Sequence, residues 1–145
     1  MKAIDVFYLR RCATTLSRAL ELLRASAAGS MDYDMYRSAC IKEFEIIIEQ
    51  GGKLLRKALK PYFSSSQAVD RLTFKDVFRH AVLRGIITAE ECERWLQYRD
   101  SRNDTAHAYG ADLAEKTLAM LPPLTGDAER LAAAIEQQNH GDELC

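Results

Sequence analysis

Side chains that could carry out chemistry are concentrated in the segment 98–109. It contains Arg102, Asn103 and His107, close to the predicted end of a helix. Arginine stays charged and offers a forked donor to two phosphate oxygens, whereas histidine titrates near neutrality and can move protons. These residue types are suited to phosphodiester chemistry.

The spacing of Arg102 and His107 limits how they could act together. On an unbroken helix, residues five apart differ by about 140° around the axis. Either the helix loosens through residues 103–105, which are all poor helix formers, or two subunits contribute to one site. A purely structural role is the alternative, in which Arg102 pairs with Asp100 or Asp104 and His107 ends the helix.

No second catalytic motif is found along the chain. His80 is predicted to be a surface or capping residue, and the sequence has no Gly-rich phosphate loop, HExxH motif or nucleophile elbow. The four cysteines are far apart and form no CxxC pair, so neither a zinc site nor a disulfide framework is indicated. Cys12 and Cys40 are predicted to be reduced and buried. We therefore expect no metal and no cofactor.

The elements that must position the segment 98–109 are helices. The chain has only seven glycines and three prolines, and no Val/Ile/Thr-rich stretch alternates with period two. Apolar residues recur every three or four positions in stretches predicted as helices: 4–27, 33–60, 73–84, a helix from 89, and a helix from 111 that is interrupted or kinked at 122–123 and resumes over 127–138.

Capping signals support these boundaries. Asp32 or Asp34 is predicted to cap the second helix, and the residue pairs 73/76 and 88/91 resemble capping boxes. Gly85 is the expected C-cap between the third and fourth predicted helices, and the run 61–66 is predicted to be the principal loop. Together these predict an all-α, up-and-down bundle of four to five helices. One domain is expected over 1–139, followed by a flexible tail over 140–145.

The second predicted helix has two unusual features. Ile41 and Ile46 fall outside its main apolar stripe, so a second face is either buried by neighbouring helices or forms a subunit interface. Gly51 and Gly52 should cost on the order of 2 kcal/mol in a helix interior. A close helix crossing or a local bend would explain why they are tolerated.

Composition excludes several classes of protein. Twenty basic and 21 acidic residues give a net charge of −1, so the chain as a whole does not attract nucleic acid, although a local basic cleft is compatible with this balance. No apolar run approaches the roughly 20 residues needed to span a bilayer. Charge occurs too early at the N-terminus for a secretory signal, and a cytoplasmic protein without membrane association is expected.

The segment 102–107 resembles the R-polar-x3-H motif of HEPN domains. With Tyr109 it matches the longer pattern of the HepT-like toxins, a family also known as nucleotidyltransferase substrate-binding proteins. Phe44-Glu45, Glu49 and Lys53 resemble the family's second-helix pattern, and Trp95-Leu96 stands at the expected distance before the arginine. The resemblance covers roughly residues 40 to 110. Gly52 departs from it, since many relatives carry tryptophan there.

This resemblance implies a metal-independent endoribonuclease that uses the 2′-hydroxyl of RNA as the nucleophile. Arg102 would bind the phosphate, His107 would transfer protons, and Asn103 would orient the phosphate or the imidazole. Relatives are described as homodimers whose motifs meet at the interface.

The resemblance also implies a toxin–antitoxin pair with a minimal nucleotidyltransferase as antitoxin. That partner would attach AMP to Tyr109, placing an anionic group beside Arg102 and His107. The other function considered is a non-catalytic subunit that presents a substrate or nucleotide to the nucleotidyltransferase. The same cationic cleft would serve binding or cleavage, so the sequence leaves both functions open.

Overall fold

Six α-helices and one 3-10 turn, at residues 60–62, make up the described part of the chain, which contains no strand. The computed structural model describes the backbone of residues 3–107 and 111–144, and the side chains of residues 3–102 and 116–139. The predicted all-α bundle is confirmed. The helices are α1 (Phe7–Ala25), α2 (Met31–Leu59), α3 (Ser66–Asp70), α4 (Phe74–Leu83), α5 (Ala89–His107) and α6 (Ala111–Leu144).

Local capping interactions place several helix ends where the sequence predicts them. Thr88 and Glu91 form a reciprocal capping box at the start of α5, since each side chain accepts a hydrogen bond from the other residue's amide, at 3.0 and 3.1 Å. The Thr73 hydroxyl accepts from the Asp76 amide at 3.1 Å at the start of α4. Gly85 has a φ of +72° just after α4, a conformation that favours glycine.

Two predicted boundaries are wrong. Ser30, rather than Asp32 or Asp34, caps α2, because its hydroxyl accepts the Tyr33 amide at 3.1 Å. The aspartates lie inside the first turn, where their charge is favourable to the helix dipole. The loop predicted over 61–66 is shorter than expected, because the 3-10 turn covers residues 60–62 and the short helix α3, which Ser65 caps, begins at Ser66.

Helix α6 is also longer than predicted, because it continues through Pro122 and Pro123. Leu121 and Leu124, on either side of the prolines, are completely buried, so packing maintains a helix that local bonding alone would end. The Thr125 hydroxyl donates to the Pro122 carbonyl at 2.8 Å. The backbone of residues 140–144 continues the helix, and the flexibility expected of the tail stays a prediction.

The central helix of the bundle is α2, which packs against α1, α4, α5 and α6. Helix α1 packs on α2 and α6, and Ile4, just before α1, forms two hydrogen bonds with Asn139 near the end of α6. The largest fully buried side chains come from five helices: Leu9, Leu16, Phe44, Ile47, Ile48, Leu55, Leu59, Phe78, Trp95, Leu121, Leu124 and Leu131.

The glycine pair in α2 is explained by a close helix crossing, one of the two predicted causes. A Cβ added at Gly51 would lie 3.0 Å from the Cη2 and Cζ3 atoms of Trp95 on α5. A Cβ at Gly52 would lie 3.3 Å from the ring of Phe74 on α4. The glycines therefore form the shallow surface on which the aromatic residues of α4 and α5 pack.

The cysteines and the second face of α2 agree in part with the sequence analysis. Cys12 and Cys40 are buried free thiols, as predicted, and burial raises the pKa of Cys40 to about 11. Ile46 packs against the core, which favours burial by neighbouring helices at that position. Ile41 is partly exposed, so the question of a subunit interface on this face stays open.

Candidate active site

Helix α5 carries the candidate active-site residues and is anchored at its start by the Thr88–Glu91 capping box. Trp95 and Tyr98 follow on its inner side and are 0% and 2% exposed. Arg102, one turn after Tyr98, is half-buried and continues the same stripe. Arg102 therefore places a positive charge at the point along α5 where its buried side reaches the surface.

A buried carboxylate on α6 fixes the position of α5. Asp127 is completely buried and accepts two hydrogen bonds from Arg94, one from Nε at 2.9 Å and one from Nη2 at 2.8 Å. The Tyr98 hydroxyl donates to it at 2.6 Å, and Arg130 Nη2 donates at 2.6 Å. Both carboxylate oxygens are thus occupied, as a buried charge requires.

The electrostatics of this cluster favour the ionised carboxylate. Desolvation raises the pKa of Asp127, but the hydrogen bonds from Arg94, Tyr98 and Arg130 outweigh it, so the net pKa is lowered. Burial and the hydrogen bond to Asp127 raise the pKa of Tyr98, so its hydroxyl stays a donor. The cluster is a structural anchor, and it holds the turn of α5 from which Arg102 extends.

Sequence reasoning missed Asp127 as a positioning residue. Its register was a usable signal, because Asp127 falls between the buried positions Leu124, Ala128 and Leu131 of α6. A carboxylate within such a stripe must find donors on another helix, and Arg94 and Tyr98, four residues apart on α5, present theirs from one face.

Helix α5 runs without interruption to His107, so the loosening considered for residues 103–105 is not observed. Intrahelical hydrogen bonding outweighs the weak helix preference of three residues. Arg102 and His107 therefore occupy positions about 140° apart around one helix. The structure does not bring them to one face within a single chain. The side chains of Asn103 and His107, and all of Tyr109, lie outside the described residues.

The other polar candidates have structural roles or face solvent. His80 is half-buried near the end of α4 and packs edge-on against Phe63, with ring centroids 5.1 Å apart. Asp100 is exposed. No group of three or more His, Cys, Asp or Glu residues among those described is arranged to hold a metal ion. A search of the same residues finds no helix with the length and apolarity that crossing a membrane requires.

The chain is similar to known proteins. The family model described as nucleotidyltransferase substrate binding protein like matches residues 8–137. The probable ribonuclease HepT of Haemophilus influenzae is 26% identical over 113 residues, which cover 78% of this chain and 76% of that protein.

Two solved structures share the fold. One is a Haemophilus influenzae protein described as having the fold of a substrate-binding domain of a nucleotidyltransferase. It has a TM-score of 0.78 and 20% identity, over 91% of this chain and 99% of that one. The other, from Thermus thermophilus, has a TM-score of 0.61 and 26% identity, over 86% of this chain and 98% of that one.

Proposed function

The chain belongs to the family of nucleotidyltransferase substrate-binding-like proteins, and from this premise we propose that it is a metal-independent endoribonuclease. We further propose that it acts as the toxin of a toxin–antitoxin pair with a minimal nucleotidyltransferase. The observation that carries the proposal is the position of Arg102, half-buried one turn beyond the Tyr98–Asp127 anchor and at the start of the HEPN motif. The relative named as a probable ribonuclease supports the same activity.

In the proposed reaction, the RNA 2′-hydroxyl attacks the adjacent phosphorus and the bond to the 5′-oxygen breaks. A histidine takes the proton of the 2′-hydroxyl, and a protonated histidine supplies one to the leaving 5′-oxygen. The products are a 2′,3′-cyclic phosphate and a 5′-hydroxyl. Arg102 would stabilise the crowded phosphate with two parallel N–H donors, and Asn103 would orient the phosphate or the imidazole of His107.

The proposed site is completed by a second copy of the chain. Because α5 is continuous, Arg102 and His107 lie at positions about 140° apart around its axis. A two-fold axis beside the end of α5 would place the arginine of one protomer near the histidine of its partner.

A second candidate function is a non-catalytic subunit that presents a substrate or nucleotide to a nucleotidyltransferase. The description of the Haemophilus influenzae structural neighbour as a substrate-binding domain favours it. A cationic cleft around Arg102 would serve such binding as well as cleavage.

RNA cleavage in the presence of EDTA tests the proposed function. The purified wild-type protein should cut RNA and leave 2′,3′-cyclic phosphate ends, whereas His107→Ala should abolish cleavage. His80→Gln is the matched control, because His80 packs against Phe63 and takes no part in the proposed reaction. Wild-type protein that binds its nucleotidyltransferase but leaves RNA intact would favour the binding subunit instead.

A further inference from the structure

Charge is distributed unevenly along this nearly neutral chain. Residues 53–84 contain eight basic and two acidic side chains, a net charge of +6. The whole chain has a net charge of −1, so the remaining residues together carry −7. The basic side chains lie on the C-terminal half of α2, at the start of the 3-10 turn, and between residues 71 and 84, in and around α4. This part of the bundle has the opposite charge from the rest.

Helix α4 separates an apolar side from a basic side. Phe74 and Phe78 face the core, with their ring centroids 4.5 Å apart, and Phe78 is completely buried. Lys75 and Arg79 follow them by one residue each and are exposed. They stand one turn apart, about 6 Å along the helix axis. Among the described residues, no carboxylate lies within ion-pairing distance of either.

Helix α4 runs alongside α5. The rings of Phe78 and Trp95 are 5.4 Å apart, and the Arg99 guanidinium lies 4.8 Å from the Phe74 ring centroid, so the two helices are antiparallel. Arg102 is one turn beyond Arg99. We call Lys75, Arg79 and Arg99 the α4 track; Lys75 lies at the end of α4 that is next to Arg99, and Arg102 is one turn further along α5.

Packing orders one cation of the α4 track. Arg99 is half-buried, and its stacking on Phe74 positions a planar donor instead of a freely rotating one. Acidic side chains are fewer than basic ones in and around α4. From residue 71 to 84 there are four basic side chains and one acidic one, Asp76. The exposed Asp100 lies between Arg99 and Arg102 in sequence and is the nearest counter-charge along α5.

We propose that the α4 track binds backbone phosphates of single-stranded RNA next to the phosphate that is cleaved. This inference rests on the proposed function and extends it from the cleaved bond to the strand that carries it. Successive cations spaced along one edge fit a repeating polyanion, and such a surface reads the backbone rather than the base sequence. Phosphate binding at Lys75 and Arg79 would set the register of the strand over Arg102.

Salt-dependent RNA binding tests the proposal in a His107→Ala background, in which cleavage does not interfere. The test variant carries Lys75→Gln and Arg79→Gln. The control carries Arg11→Gln and Arg18→Gln, which remove two exposed charges seven residues apart on α1, the helix that packs mainly on α2 and α6. The probe is a short fluorescent single-stranded RNA of mixed sequence, titrated at several salt concentrations.

The α4 variant should have a slope of log affinity against log salt that is shallower by about 1.4, since each lost phosphate contact on a single strand contributes about 0.7. Its affinity at low salt should fall by about tenfold or more. The α1 control should keep the wild-type slope. In the cleavage-competent background, the α4 variant should raise KM and leave kcat unchanged, because the interaction is the same in the ground and transition states.

An unchanged slope in the α4 variant would overturn the proposal, as would an equal loss in the α1 control. Unchanged RNA binding with weaker binding to a nucleotidyltransferase would identify the track as a protein-docking surface and also overturn it. The readout does not depend on catalysis. A wild-type protein that fails to cleave RNA but shows the slope change would contradict the proposed function alone.

Discussion

Arg94 and Asp127 form a two-pronged ion pair between α5 and α6, with N–O distances of 2.9 and 2.8 Å. The aspartate is completely buried, whereas the arginine side chain is 37% exposed. The negative charge of Asp127 is therefore shielded from water, and hydrogen bonds from α5 and from Arg130 compensate for its burial. Because Tyr98 donates to the same carboxylate, a single residue of α6 binds two positions of the helix that carries the candidate site.

Replacing Asp127 with asparagine should destabilise the fold by about 1–3 kcal/mol, because hydrogen bonds to a charged group are lost and an amide cannot serve all the donors. Arg94 and Arg130 can turn towards water, which moderates the loss of stability. Tyr98→Phe removes one of these hydrogen bonds and should cost about 1 kcal/mol. Urea unfolding of the three proteins measures the differences.

The stability lost in Asp127→Asn should depend on pH. The native pKa of Asp127 lies below its unfolded value, so its contribution is complete above about pH 4 and is lost as the pH falls through the native pKa. The free energies of unfolding of wild type and variant should therefore converge only below about pH 4. Convergence near neutrality would contradict the assigned ionisation of Asp127.

Gly51→Ala should destabilise the protein, since the new methyl would lie 3.0 Å from the Trp95 ring. Overpacking of about 1–3 kcal/mol should exceed the gain of about 1 kcal/mol in helix propensity. Gly52→Ala is the matched control, because its methyl would meet the edge of Phe74 at 3.3 Å. It should be closer to neutral. Thermal unfolding that ranks Gly52→Ala as the more damaging change would contradict this description of the helix crossing.

Arg102→Lys should lose nearly as much RNase activity as Arg102→Ala, because a point charge cannot reproduce two parallel donors to a phosphate. Both variants should fold normally, since the half-buried side chain leaves no large core cavity. Single-turnover cleavage, compared with circular dichroism, separates activity from folding. Full activity in Arg102→Lys would rule out the forked-donor role.

The proposed composite site predicts a homodimer. Sedimentation at micromolar concentration should therefore give twice the 16.4 kDa mass of one chain. Mixing Arg102→Ala with His107→Ala protein adds a sharper measurement, since mixed dimers would contain one site with both residues intact. Recovery of cleavage would support the shared site, whereas a monomeric wild type would count decisively against it.

Tyr109→Phe should keep the fold and much of the RNase activity but escape control by the nucleotidyltransferase. In the proposed regulation, an adenylyl group on Tyr109 would bring a negative charge to the motif and compete with the RNA phosphate for Arg102. Intact mass after incubation with the partner and ATP is the measurement. Equal AMP incorporation into wild type and variant would place the modification on another residue. No incorporation into either protein would favour inhibition by simple occlusion of the active site.

Much of this fold could be predicted from the spacing of apolar residues, because the stripes of α1 and α2 have a period that only a helix satisfies. The sequence does not identify the N-cap of α2, because Ser30, Asp32 and Asp34 are all good caps and only the path of the folded chain decides between them. The continuity of α6 depends on tertiary packing around Leu121 and Leu124, which outweighs a local rule that prolines end helices.

The candidate site was only partly predictable for a related reason. Arg102 and His107 could be proposed because their motif is local in sequence. The anchor that positions them joins residues about thirty positions apart: Arg94 and Tyr98 meet Asp127 only when α5 and α6 pack together. A single sequence does not specify that pairing. The sequence does show that Asp127 needs hydrogen-bond donors, because it places a carboxylate within an apolar stripe.

The two prolines of α6 have a consequence for how the bundle opens. Pro122 and Pro123 carry no amide hydrogen, so the carbonyls of Leu118 and Ala119 cannot receive the usual helical hydrogen bonds. A helix that lacks two successive rungs can unwind on one side of the gap while the other side stays folded. Amide hydrogen exchange should then divide α6 into two protection classes. Residues 124–135, packed in the core, would exchange only on global unfolding, and residues 116–121 would exchange through a smaller opening.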